Sequence, residues 1–126
     1  MDIKIDRESA IAFVDVGEIS SIPEIQTMIE ALLAHPDFVD GMDTIYDYRR
    51  ADFSNIDAED MKMLADFLVP HLPRLAKRVI MVVEREMEYG VIRMWGVYSE
   101  KLASRERRIF RDVDVAREWF LSNKQP

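Results

Sequence analysis

Few residues of this chain could do chemistry, and their spacing argues against most reactions they could support. His35 and His71 are its two histidines. Each stands beside or near a proline at the end of a helical pattern, and neither has a carboxylate at metal-ligand spacing on a shared helix face. A cation near a helix C-terminus is the role such positions favour, ahead of a catalytic base or metal ligand. Carboxylates come in runs, Glu84, Glu86 and Glu88 or Asp57, Glu59 and Asp60. In an acidic protein such runs read as solvated faces, and no serine or histidine is spaced from them as a triad requires. Glycines 17, 41, 90 and 96 are too sparse for either nucleotide-binding loop. Arg49 and Arg50 follow a strand pattern and could hold an anion at a sheet's C-terminal edge, where α/β folds collect ligands; an exposed polar loop is the simpler account. With no cysteine there is no disulfide, thiolate metal site or thiol nucleophile. The residues point to no catalytic centre, metal or cofactor, and to a protein that acts by binding.

The most informative stretch is Tyr89-Gly90-Val91-Ile92-Arg93-Met94-Trp95-Gly96-Val97-Tyr98. On a helical wheel Val91, Met94 and Tyr98 share one face, and Ile92, Trp95 and Ser99 another. A helix apolar on more than one face is buried beyond a single sheet contact or lies at an interface. Gly90 and Gly96 each cost about 1 kcal/mol relative to alanine inside a helix, so a close backbone neighbour is expected. Aromatic residues, Met and Arg are enriched at interfaces; tight packing on the sheet, with Trp95 covering a neighbouring helix, stands beside that reading. Tyr89, Gly90, Arg93, Met94, Trp95 and Tyr98 are therefore the candidate interface or ligand wall. Eight methionines supply adaptable apolar surface for either use.

These residues need a scaffold. The 126 residues form one domain, 1–126, large enough to bury a core without disulfides or metal. A composition 48% hydrophobic and 33% charged excludes a disordered chain. No wholly apolar run exceeds Val79–Val83, far short of the roughly 20 residues that span a bilayer. The start, Met1–Asp6, lacks a signal-peptide pattern. The expectation is a cytoplasmic microbial protein with no membrane insertion. Residues 1–73 carry 5 basic and 16 acidic side chains, and residues 74–126 carry 12 and 8. The two parts are expected to neutralise each other on folding, and a net charge of −7 argues against nucleic acid as a partner.

Met1–Asp6 alternates, with Ile3 and Ile5 on one face, and Ala10–Val16 is a second strand closed by Gly17; the short polar turn between them predicts an antiparallel hairpin. Ser21-Ile22-Pro23-Glu24 starts a helix, with Ser21 as cap, Glu24 reaching back and Pro23 in the first turn. Ile25, Met28, Ile29 and Leu32 form its apolar face, and it should stop at His35 before Pro36. Thr44–Tyr48 is the third strand. Asp57 caps the next helix, with Asp60 at its third position and Met61, Leu64, Ala65 and Leu68 inside. Arg78–Val83, the most continuously apolar strand, is assigned the sheet centre. Glu86–Leu102 is a helix with Met87, Val91, Met94, Tyr98 and Leu102 on one side. Arg107–Arg111 is the last strand, and Asp112 caps a final helix carrying Val113, Ala116, Trp119 and Phe120. The order β-β-α-β-α-β-α-β-α predicts an α/β fold, one mixed sheet of about five strands with four helices.

Several motifs carry a family resemblance along the whole chain. They are His35-Pro36-Asp37-Phe38 and Gly41-Met42 before a strand, then Tyr46-Asp47-Tyr48 and Asp52-Phe53-Ser54 after it. Further on come Tyr89-Gly90 with Arg93-Met94-Trp95, and Ile109-Phe110-Arg111-Asp112 with Ala116 and Trp119. In this order and spacing the chain resembles the SpoIIAA-like group of small bacterial proteins, related to STAS domains and more distantly to SEC14-like (CRAL-TRIO) lipid carriers. The resemblance implies a compact α/β domain with a mixed sheet. STAS domains act as interaction modules switched by phosphorylation of a serine just before a helix, in an Asp-Ser-Ser-Gly stretch. Here Asp57 matches the Asp, but Ala58, Glu59 and Asp60 stand where Ser, Ser and Gly would be. The connection from Asp47 is also about two residues longer than in that family. Glu59 and Asp60 could act as a fixed negative charge, although helix capping explains both. Ser54 is the nearest hydroxyl and the one remaining candidate phosphoacceptor.

The expectation is therefore a non-enzymatic binding or regulatory module acting through protein–protein contacts, not phospho-switched at the usual STAS serine. It should be a homodimer that buries Trp95 or Tyr98. The alternative is a small carrier or sensor of an apolar or lipid-like ligand held between the third helix and the sheet. Met94, Trp95 and Tyr98 discriminate the two: facing a second chain favours the module, and lining an enclosed cavity favours the carrier.

Overall fold

Asp6 turns the chain for the first time. Its Oδ1 accepts the backbone N–H groups of Glu8 (3.0 Å) and Ser9 (3.3 Å), so β1 (Asp2–Asp6) returns as β2 (Ile11–Asp15) in an antiparallel pair. This is the expected hairpin. In the computed structural model, which describes residues 1–124, the chain continues through α1 (Ile22–Leu33), β3 (Asp43–Asp47), α2 (Ala58–Leu68), β4 (Arg78–Val82), α3 (Glu86–Ser99), β5 (Glu106–Phe110) and α4 (Val113–Ser122). A 3₁₀ turn, Val69–His71, extends α2. The described residues thus form a mixed five-stranded sheet and four α-helices in the order that the sequence pattern predicts.

The strands lie in the order β1-β2-β3-β4-β5, and all pairs after the first are parallel. Each parallel connection steps to the next strand in the same direction, so right-handed crossovers bring α1, α2 and α3 to one face. Ala12, Val14, Tyr46 and Met81 project to that face and pack with Ile25, Met28, Leu64 and Ile92. Ile11, Ile45, Ile80 and Val82 project to the other face, where α4 covers them with Ala116 and Phe120. The middle strand is β3, which corrects the assignment of the apolar run in β4 to the sheet centre. That run reports two covered faces, and the second strand from an edge has them as fully as the middle one. Both edge strands carry charge, Lys4 on β1 and Arg107 and Arg108 on β5, which discourages pairing with another sheet.

Helix starts follow their caps. Asp57 and Asp60 form a reciprocal capping box on α2, and Asp112 accepts the N–H of Val115 on α4 at 3.0 Å. At α1 the box is inverted: Glu24 Oε1 accepts from the Ser21 hydroxyl (2.9 Å) and the Ser20 N–H (3.2 Å), and Ser21 itself caps nothing. α1 stops at Leu33, just short of the expected His35. α3 ends at Ser99, not Leu102, because the chain tightens there: the Leu102 N–H reaches the Ser99 carbonyl at 2.9 Å, three residues back.

One arginine fastens α4 to the sheet. Arg78 is 7% exposed and pairs with both oxygens of Asp43, at 3.0 and 2.5 Å, while its third arm reaches the Asn123 carbonyl at 2.5 Å. Its guanidinium also lies 5.1 Å from the Phe120 ring centre and 5.6 Å from that of Trp119. Breaking a buried pair from one side costs about 3 kcal/mol, because the remaining charge stays desolvated. R78M should lower the urea midpoint by an amount corresponding to that loss. The double variant R78M/D43N, which leaves no stranded carboxylate, should recover part of it.

Candidate functional site

The first turn of α3 is tied to the loop after β3 by charge. Arg85, the cap residue, donates through Nη2 to the Ala51 carbonyl. Its Nε stands 3.0 Å from Glu88 Oε1, without the alignment of a hydrogen bond. Glu88 Oε2 accepts the Phe53 N–H at 3.0 Å. Glu88 is 2% exposed, although the run of glutamates that contains it reads as a solvated face in the sequence. The missed signal is helical spacing, since Glu88, Ile92, Trp95 and Ser99 recur at i, i+4, i+7 and i+11. That stripe is the packed one.

The six candidate residues therefore separate. Trp95 faces inward and lines a cavity, with Tyr98 stacked on it at 6.1 Å between ring centres. Tyr89 is half-buried beneath the Arg111 guanidinium, 5.7 Å from its ring centre. Gly90, Arg93 and Met94 face out. The outward crest consists of Met87, Gly90, Met94 and Val97, with the three side chains 56%, 60% and 74% exposed. The expectation of a close neighbour at Gly90 and Gly96 fails within the chain, because nothing lies within 4 Å of a Cβ built at either. Trp95 is half-buried: the wheel shows two apolar faces, and the sheet takes the one with the larger ring.

Beneath Trp95 the three-helix layer is incompletely filled. A cavity of about 100 Å³ lies among Ile25 and Ile29 of α1, Leu64 and Leu68 of α2, Trp95 and Ser99 of α3, and Tyr46, Tyr48 and Met81 of the sheet side. A second space of about 50 Å³ shares Ile25, Tyr48, Leu64, Met81 and Trp95 with it. The Tyr46 and Tyr48 rings stack at 5.9 Å. Burial pushes both phenols above their ordinary range, and Tyr46 raises Tyr48 further, so both remain protonated donors at neutral pH. Neither hydroxyl has a hydrogen-bond partner among the described residues. Arg107 reaches the same cavity. Burial pulls its guanidinium below the ordinary value, and Glu100, accepting from Nη1 at 3.0 Å, opposes that shift. The cavity role of Tyr46, Tyr48, Ser99 and Arg107 is not readable from spacing, because they meet across three separate elements.

The other sequence candidates are placed as follows. Arg49 is bidentate to Asp47, at 2.9 and 2.8 Å, and Arg50 contacts both oxygens of Asp15 at 3.3 Å. Both guanidiniums have carboxylate partners and stand at the surface, so they form no enclosed anion site. His35 Nδ1 accepts the Asp37 N–H at 3.1 Å, and the His71 ring lies 5.0 Å from that of Phe67. Among the described residues no group of three or more His, Asp and Glu could hold a metal ion. Ser54 is exposed and its N–H donates to Asp52 Oδ1 at 3.0 Å, in a turn preceding the capped start of α2.

Two predictions follow from these charges. E88A strips the Phe53 N–H of its acceptor, which costs about 2 kcal/mol for a buried donor, and amide exchange at Phe53 should accelerate first. Asp47 supplies a pH dependence. Burial alone would raise its carboxyl, but the hydrogen bonds and charge of Arg49 outweigh it and hold the group below the ordinary value. A depressed carboxylate contributes stability that is complete above its unfolded value and lost as pH falls through the folded one. D47N should therefore flatten the fall in stability below about pH 4, read by denaturation at stepped pH.

No family model matches the chain, and comparison with the curated proteins and with the solved structures returns no match.

Proposed function

We propose that this protein is a non-enzymatic interaction module of the SpoIIAA-like kind, working as a homodimer through the outward crest of α3. The supporting observation is that crest. The solvent side of a surface helix is ordinarily polar, yet Met87, Met94 and Val97 stand out of the protein around an open glycine. Among aromatic-poor surfaces, adaptable methionines are a frequent means of binding another protein.

The occupant is a second copy of this chain. Two α3 helices crossing antiparallel at Gly90 bring each Met87 against the second copy's Met94. They also set each Arg93 beside the second copy's Glu86, on the same flank of the crossing. The charges suit this register: the ion pairs of α3 and its C-terminal cap use Glu86, Glu88 and Glu100 and leave Arg93 without a partner among the described residues. Glu86 has one contact, Arg111 at 3.4 Å, and is almost fully exposed. Gly90 lets the backbones approach toward the near end of the usual 8–10 Å helix separation. Association is constitutive in this scheme, since Ala58 replaces the STAS serine and the Asp57 and Asp60 carboxylates are engaged in capping.

Sedimentation over a concentration series tests the proposal. M94E should weaken dimerisation at least thirtyfold, the equivalent of a hot spot of about 2 kcal/mol. R93E should weaken it less, and E86R/R93E should restore it. W95A should lower the melting temperature and leave association unchanged. A wild-type monomer at every concentration would sink the dimer.

A further inference from the structure

The space beneath Trp95 carries an inference independent of the dimer. An empty cavity in a protein interior is ordinarily apolar, and a buried polar group ordinarily has a partner. This cavity departs from the first rule, because its lining is polar in part. Tyr46 and Tyr48 are each 8% exposed, and their hydroxyls have no partner among the described residues. The residues lining it include two arginines and no carboxylate. Arg105 is consumed structurally, since it donates to the carbonyls of Leu72 (2.6 Å), Leu75 and Ala76 (both 3.2 Å). Arg107 is not: it bonds through Nη1 alone, to Glu100 and to the Arg105 carbonyl, and Nε and Nη2 have no acceptor among the described residues. Two tyrosines and a part-buried guanidinium with unused N–H groups thus line one space whose other walls are largely apolar.

We infer that this cavity binds a small aromatic monocarboxylic acid. The ring occupies the space between Ile25, Leu64 and Trp95, and the carboxylate accepts hydrogen bonds from the tyrosine hydroxyls and Arg107. The size fits an aromatic ring, with the carboxylate at the open side of the cavity. A cavity of about 150 Å³ admits benzene, and here about 100 Å³ adjoins about 50 Å³ across shared walls. The head group follows from the donors, because a guanidinium recognises a carboxylate better than any neutral acceptor.

Phenylacetate and toluene are the probes, one with the head group and one without. In W119F, Trp95 is the sole tryptophan, and its fluorescence should change saturably with phenylacetate, at least tenfold more tightly than with toluene. The Met81 methyl resonance of the wild type should report the same binding without any substitution. R107Q and Y46F/Y48F should each weaken phenylacetate about tenfold and leave toluene unchanged, whereas S99L, which fills the cavity, should abolish both; thermal melts establish that each variant is folded. M94E should bind as the wild type does, which separates this result from the fate of the dimer. Equal affinity for the two probes would overturn the carboxylate assignment. No saturable change with either in the wild type would overturn the site.

Discussion

Because β2, β3, β4 and β5 are parallel and adjacent in chain order, each right-handed crossover must carry its helix over the same face of the sheet. Most of what this domain presents follows from that constraint. Three helices share one face, and the helix after the last strand is left to cover the other. α3 comes last in the row, beside α2 and with no further helix beyond it among the described residues. One of its two apolar faces therefore packs on the sheet, and the other has no neighbour within the chain. The cavity arises from the same layout, where α1, α2 and α3 meet above Tyr46, Tyr48 and Met81 without quite filling the gap.

Charge then stitches the layers where apolar packing ends. Arg78 bridges the start of β4, Asp43 at the start of β3 and the end of α4. Glu88 and Arg85 join the first turn of α3 to Ala51 and Phe53. Arg78 and Glu88 are buried and hydrogen-bonded, so losing a partner of either is costly. Bridges such as Arg74–Asp40 and Arg117–Asp6 also join the acidic first part of the chain to the basic second part, as the charge distribution implies. They are largely exposed and each contributes little. Functionally the same chemistry divides: carboxylates neutralise Arg49, Arg50 and Arg78, whereas Arg93 outside and part of Arg107 inside keep unused donors.

The local features were legible because their causes are local. A capping box needs only Asp57 and Asp60, three residues apart, and the hairpin needs only two strands and Asp6 between them. The alternation of strand and helix, summed along the chain, leaves few sheets to choose from. The candidate site was half legible. The stretch from Tyr89 to Tyr98 stood out as too apolar for a helix with one covered face, and it is. The wheel could not say which face would be covered, and it mistook Glu88 for a solvated residue.

The sequence by itself determined the elements, their order, their caps and the presence of two apolar faces on one helix, all of which arise from interactions within a few residues. Tertiary structure alone decided that Trp95 turns inward and Met94 outward, that β3 is central, and that Arg107 meets Tyr46 and Tyr48 at one cavity. These depend on which surfaces meet across the sheet. Side chains separated by about sixty residues come together there only because three crossovers share a hand.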